Sequence, residues 1–367
     1  MMKIIKGIAI FCAVGLTLAQ CAKTEDEDRD AREQAVFELW IAQNAPQAER
    51  MDNGMFVEWF RKGSSTTKIS EGDFIMVDYC GRTLVGDVFS NRDSTLARHE
   101  GTFTPYTRYT PHYAPYNVNG RYFTAGEYGI LAEMSAGDSV RIWLPSMLAY
   151  NDNAAITSQF AFGYEGWWNS TKNPKNTQGG RPSLTNRPVV IDLALRDVVP
   201  DPEKRELENA VAAAERLSFI VQDSIRDGLF FRYIEEDTDA AVIAKDSTFY
   251  MVYALRFLDD FLVSTNDPLL AFATWGDFST PRAPTPFVVN STNFLRNSST
   301  ARYISALNEL FEDEDLEVRY NSHIQLVFTS RWAYGPFGDE ATATKPVIFP
   351  YTPLMMDILI LDYEYEP

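Results

Sequence analysis

Few residues of this 367-residue chain are typed and spaced for covalent chemistry. The three histidines, His99, His112 and His323, are scattered without ligand spacing and read as surface or packing residues. Of the three cysteines, Cys12 lies in an apolar leader and Cys21 directly follows it, which leaves Cys80 as the one thiol of the mature chain. One thiol builds neither an intramolecular disulfide, nor a zinc site, nor a Cys-His nucleophile. The acidic run Glu312-Asp313-Glu314-Asp315 has charge for calcium, but a solvated acidic turn is the plainer reading. No metal and no cofactor is expected. What remains is aromatic: Tyr79 and Phe89, in the stretch EGDFIMVDYCGRTLVGDVFSNRD over residues 71–93.

The elements that must position these two rings follow from the alternation around them. Ile75, Val77 and Tyr79 fall on one face of a strand over 74–80, with Asp78 and Cys80 on the other. Gly81 is expected to end that strand, and a turn at Val85-Gly86-Asp87 returns the chain into a second strand reaching Phe89. The hairpin therefore brings Tyr79 and Phe89 toward one concave surface. Before it, a helix over 31–45 with Val36, Leu39, Trp40 and Gln43 along one side and a strand over 54–62 are expected. After it, residues 95–118 are too rich in Pro for a central strand and read as a long flap. A short helix over 128–134, a strand over 139–144 and a strand over 188–195 complete the block.

Those residues in that order resemble the FKBP-type peptidyl-prolyl cis-trans isomerases. The carriers are the hairpin's Glu71-Gly72-Asp73 start, its Tyr79 and Phe89, the helix ending at Met134, the Ala136-Gly137 turn, Pro145, Ala149-Tyr150, and Pro188 to Leu195. The resemblance covers residues 54–197 and implies an antiparallel sheet wrapped on a short helix. It also implies a proline pocket in which Tyr79, Phe89 and Tyr150 act on the substrate and Tyr116, Phe123 and Ile191 bind it. Each of these residues reads equally well as ordinary sheet core. The chain departs from the family twice: Glu127 stands where an aromatic floor is usual, and Ser90 where an Asp follows the Phe. The enlarged 151–188 segment carries Phe160, Phe162, Tyr164, Trp167 and Trp168, which either pack down on the domain or widen its binding surface.

The second half repeats the first. Asp201-Pro202-Glu203 starts a helix expected to run to Arg226, with Leu207, Val211, Ala214, Leu217, Val221 and Ile225 along its apolar side. The Gly-to-Tyr interval from 54 to 79 recurs from 228 to 253, which argues for tandem copies. Ala306 to Phe311 reads as the second short helix, Ile324 to Phe328 and Leu354 to Leu361 as strands, and Ala333-Tyr334-Gly335 matches the family fully. The second pocket positions read Tyr253, Val263, Ile304, Tyr334 and Met356, so its rings are depleted. Its insertion from Trp275 to Pro286 is expected at the rim, where it would hold a partner.

At the N-terminus, Lys3 and Lys6 precede an apolar run over 7–19, too short to span a bilayer but right for a signal peptide. Leu18-Ala19-Gln20-Cys21 resembles a lipoprotein lipobox, with Gln20 departing from the usual small residue. An ordinary secretory signal with a chance cysteine is the alternative. The charge run from Lys23 to Asp28 reads as a tether and resembles the export signal of surface-displayed lipoproteins. With 33 basic against 51 acidic residues the formal charge is −18, which argues against a nucleic-acid partner.

The expected fold class is thus α+β: two tandem FKBP-like domains, each preceded by a helix. Residues 1–20 would be signal, 21–30 the lipidated Cys21 and tether, 31–200 the first domain and 201–367 a degenerate second. The implied function is a peptidyl-prolyl isomerase or folding helper, lipid-anchored at the outer membrane and acting on proline-containing segments. The alternative is a non-catalytic subunit that binds an outer-membrane protein partner.

Overall fold

In the computed structural model the described residues are 30–117, 122–149, 184, 187–219, 227–245, 247–276, 284–289, 291–296, 301–313, 316–339 and 345–362. They form two α+β units in tandem, each an antiparallel sheet with a short helix on its inner face and a longer helix, at its N-terminal side, on the outer face. The first unit contains helix α1 (residues 30–44), β1 (Glu49–Arg50), β2 (Phe56–Arg61), β3 (Phe74–Thr83), β4 (Val88–Asn91), α2 (Ser94–His99), β5 (His112–Pro115), α3 (Ala125–Leu131), β6 (Ser139–Leu144) and β7 (Val189–Val199). The second contains α4 (Pro202–Arg216), β8 (Leu229–Glu235), β9 (Thr248–Phe257), β10 (Leu262–Thr265), α5 (Pro268–Trp275), β11 (Thr285–Val288), α6 (Ala306–Glu312), β12 (His323–Phe328) and β13 (Leu354–Leu361).

Strand order makes the repeat explicit. The first sheet runs β1-β2-β6-β7-β3-β4 with β5 also on β3, and the second runs β8-β12-β13-β9-β10 with β11 also on β9. Removing β1 makes the two paths superimposable element for element. In each, the edge strand is broken in two by a short helix: β4, α2 and β5 in one, β10, α5 and β11 in the other. Asp93 and Asp267 cap those helices by accepting from two backbone N–H groups each. The proline-rich 95–118 segment is therefore no continuous flap. It supplies α2 and then β5, whose register runs from Phe74 opposite Pro115 to Val77 opposite His112. Proline is tolerated there because, among the described residues, β5 pairs with β3 alone and is an edge strand.

Two inner cores result. In the first unit Ile75, Val77, Val140, Ile142, Leu193 and Leu195 face α3. Gly126 lets that helix approach β6, since a Cβ there would sit 2.3 Å from a Leu144 methyl. In the second unit Phe249, Met251, Leu255, Leu326 and Ile358 face Leu307 and Leu310 of α6. Val327, on the same strand as Leu326, points to the opposite face and packs under α4.

Three helix readings need correction. In α1 the buried positions are Phe37 and Ile41, against Phe56, Trp143 and Val190 of the sheet; Trp40, from the expected side, packs partly against them, while Val36 and Leu39 are exposed. In α4 the buried positions are Glu206, Ala210, Ala213 and Ala214, with Val211 and Leu217 partly buried against the same cluster; of the expected stripe Leu207 is the member that faces out, and Val221 and Ile225 lie outside the described residues. In α4 the alanines and a hydrogen-bonded glutamate give the closer approach to the sheet, so Leu207 is displaced from it. Helix α4 also stops at Arg216, with Ser218 in the left-handed region; residues 220–226, expected to continue it, lie outside the described set. Helix α3 starts at Ala125, three residues before the expected point, because Thr124 and Glu127 close a capping box.

Candidate functional site

The expected pocket residues of the first unit do share one face. Tyr79 and Ile191 stand on the inner side of β3 and β7, Phe89 enters from β4, and Tyr116 and Phe123 flank α3; all five belong to a single buried cluster with Tyr128. None is more than 6% exposed, so the rings close on one another. Tyr116 and Tyr128 meet edge to face at 5.4 Å, as do Phe123 and Tyr128 at 5.3 Å. The Tyr116 hydroxyl donates to the Tyr128 carbonyl at 3.3 Å, and Tyr128 in turn donates to the carbonyl of Asn117. Tyr150, expected to act on the substrate, lies outside the described residues, as do Phe160, Phe162, Tyr164, Trp167 and Trp168.

Gly81 does not end β3. The strand continues to Thr83 through a register shift between Gly81 and Arg82. Glycine is needed there for another reason: a Cβ would lie 2.5 Å from the Phe89 ring. Phe89 thus lies across the backbone of β3, and its place in the site depends on an absent side chain two residues beyond Tyr79. Beside it, the Ser90 hydroxyl is buried with no hydrogen-bond partner among the described residues.

Glu127, standing where an aromatic floor is usual, is 1% exposed and neither turns to solvent nor opens a gap. One carboxyl oxygen accepts from the Thr124 backbone at 2.6 Å, while its own N–H donates to the Thr124 hydroxyl. The other oxygen is buried without a partner among the described residues. Burial pushes the carboxyl up to about 7, against the smaller opposing effect of the Thr124 hydrogen bonds. Sequence reasoning placed Glu127 as a floor; the signal it missed is the Thr-x-x-Glu spacing of a capping box.

The second unit's counterpart is filled by its own chain. Tyr253, Val263, Ile304, Tyr334 and Met356 all lie in its core. Phe294 adds the ring that the motif lacks, edge to face with Tyr253 at 5.3 Å and with Phe287 at 5.5 Å. The Tyr334 hydroxyl donates to the Leu295 carbonyl at 2.9 Å, so the Ala-Tyr-Gly tyrosine is committed internally. Asn308 takes the place of Glu127 on α6 and donates to the Ser291 carbonyl at 3.0 Å. Trp275, expected on a partner-binding rim, packs instead on Tyr106 of the first unit at 5.1 Å; Phe278 and Pro281 lie outside the described residues.

Each unit also contains a clamp that sequence reasoning missed. Glu33 of α1 accepts from the Ser146 N–H at 2.8 Å and from its hydroxyl at 2.5 Å. Glu206 of α4 binds the backbone and hydroxyl of Ser330 in the same way. Both serines open the short 3₁₀ turn that follows the β6 or β12 strand and leads to Tyr150 or Tyr334. The appended helices are thus tied to the turns that carry the site tyrosines. Among the described residues no cluster of His, Cys, Asp or Glu could hold a metal, and no helix is long and apolar enough to cross a membrane.

No protein-family model matches the chain. No curated protein matches it by sequence. Among solved structures it is similar to the three FKBP domains of wheat FKBP73, at 12% identity over 84% of this chain and 94% of that one, TM-score 0.26. It is similar to FkpA from Escherichia coli, at 18% identity over 54% and 72% of the two chains, TM-score 0.30. It is also similar to a peptidyl-prolyl cis-trans isomerase from Pseudomonas syringae pv. tomato, at 15% identity over 46% and 95%, TM-score 0.29. Likeness at such TM-scores decides neither fold nor activity; the tandem α+β class stands on the duplicated strand order.

Proposed function

We propose that this protein is a lipid-anchored, FKBP-like folding helper of the cell envelope, with a weak prolyl-isomerase site in its first unit alone. The observation that carries the reading is the asymmetry between the units. Tyr79, Phe89, Tyr116, Phe123 and Ile191 converge on one face of the first sheet, whereas the equivalent place in the second is filled by Phe294 and a committed Tyr334. Isomerisation needs no nucleophile. Its barrier of roughly 18–20 kcal/mol comes from amide resonance, so a site that grips the prolyl ring, strips water from the amide and fits its twisted form lowers it. Tyr79 and Phe89 would grip the ring, and Tyr150 would donate to a substrate carbonyl. In an isomerisation assay on a proline peptide, Phe89→Ala should lose at least about tenfold of the wild-type kcat/KM; an unchanged rate would remove the site from this face.

A second reading is favoured by the burial of those rings and by the polar Glu127 beside them: a non-catalytic unit that holds an outer-membrane partner. Shifts of the Tyr79 resonances on adding a proline peptide, without turnover, would select it over the first. In both readings Cys21 carries lipid and anchors the chain in the outer membrane, where the acidic tether favours surface display; the multiple acyl chains of a lipoprotein give firm attachment. Cys21→Ser should move the protein to the soluble fraction, and unchanged fractionation would exclude the anchor.

A further inference from the structure

A cavity of about 540 Å³ lies between the two units, away from the aromatic cluster of the first and bounded by β3, β5, α4 and the 257–259 and 349–353 turns. Its volume is in the range of small-molecule sites, roughly 300–1,000 Å³. Met76, Val199, Phe257 and Pro353 give it an apolar wall. Its helical wall is one stripe of α4, Arg205, Asn209, Ala212 and Arg216, spaced so that all four share a face. Ala212 is the small residue in that stripe and leaves the room.

The polar groups on the wall are unequally occupied. Arg108 is paired with Asp259 at 2.7 Å, and Arg205 with Asp197 at 2.8 Å. Arg216 donates to the Leu258 carbonyl at 2.7 Å and has no carboxylate partner among the described residues. Tyr113 and Asn209 line the same space, and neither side chain makes a hydrogen bond to a described residue. Three guanidinium groups stand against Glu206, Asp259 and, just outside the lining, Asp197, a local balance in a chain whose formal charge is −18. Glu206 is already held by Ser330.

We infer that this inter-unit cavity is a binding site for a small amphipathic anion, its acidic group held by Arg216 with Tyr113 and Asn209 as further donors and its apolar body lying on Met76, Val199 and Phe257. Guanidinium suits a carboxylate or phosphate because it offers several donors in a plane. The site is independent of any isomerase pocket and stands or falls separately from it.

The test is calorimetric titration of the full chain carrying Cys21→Ser with dodecanoate below its micellar concentration, beside dodecyl maltoside, an uncharged amphiphile with a tail of equal length. Wild type should bind dodecanoate saturably at one site and dodecyl maltoside not at all. Arg216→Gln should weaken dodecanoate by about tenfold or more, and Ala212→Trp, at an exposed helix position, should abolish it by filling the cavity. Asn209→Asp, also exposed, should weaken it by repulsion and serves if Arg216→Gln lowers the melting temperature. Absence of saturable dodecanoate binding, equal binding of both amphiphiles, or binding indifferent to these variants would overturn the inference.

Discussion

Glu127 shows how a single side chain can be legible in type and illegible in role. Its raised carboxyl has a definite consequence for stability. The unfolded chain releases this proton near the ordinary value of 4.5, but the folded chain holds it until about 7, so between those values the folded state binds more protons. Stability therefore falls as pH rises through that window and is level above it. The loss is about 3 kcal/mol from Glu127. Glu206 acts in the same direction, since burial also pushes it to about 7. Asp192 acts oppositely: burial raises it, but the hydrogen bonds from Arg141 and Arg82 outweigh that and hold it low, so its contribution is lost only in acid. Urea unfolding of Glu127→Gln should show a smaller decline between pH 5 and 7 than wild type; an identical decline would mean that Glu127 is ionised in the folded chain throughout.

At the scale of elements, the repeat lies deeper than the strand motifs. α1 and α4 differ in nearly every residue, yet each places a glutamate on a serine that starts the turn after the third core strand, and each covers the same three strands from outside. The sheets' outer faces match too: Arg141 and Arg82 bind Asp192 in one, and Gln325 and Arg256 meet Asp357 in the other. Charge-assisted bonds of the Glu33 kind contribute about 1.5–3 kcal/mol each, more than an exposed ion pair. A double-mutant cycle of Glu33→Ala and Ser146→Ala should give a coupling of about 1 kcal/mol for the hydroxyl arm; zero coupling would mean that α1 is held by Phe37 and Ile41 alone.

For the whole molecule the decisive contacts are those between units. Phe74 meets Tyr351 edge to face at 5.3 Å, and His112 meets Phe349 at 4.9 Å on one side and Tyr79 at 6.0 Å on the other. Arg108 lies over Phe257 at 4.3 Å while paired with Asp259. The second unit thus reaches a residue that touches Tyr79, which gives a unit with a filled pocket a use as a brace. Calorimetry should show one unfolding transition for wild type and two for the Phe349→Ala, Tyr351→Ala double variant. A single unchanged transition in that variant would show that these rings do not couple the units.

Much of the architecture was written locally. Alternation over Phe74 to Tyr79 and the Asp-Pro-Glu helix start at 201 depend on near neighbours in the chain, and with the equal Gly-to-Tyr intervals they determined the hairpin, the second long helix, the duplication and the shared face of Tyr79 and Phe89, while the α+β class came with the family resemblance. What they could not determine are relations between residues distant in sequence. Which stripe of α1 and α4 is buried depends on the sheet beneath, where Phe56, Trp143 and Val190 meet Phe37. The reach of β3 beyond Gly81 depends on the Phe89 ring lying where a Cβ would be, and the closing of the second site depends on Phe294 arriving from a loop. Trp275 is by sequence the last residue of an apolar run, and a contact of Tyr106 only once two units are docked. Local preferences are set by backbone sterics and side-chain period, while burial, partner choice and cavities are set by what the remote chain brings alongside, and only the tertiary structure decides that.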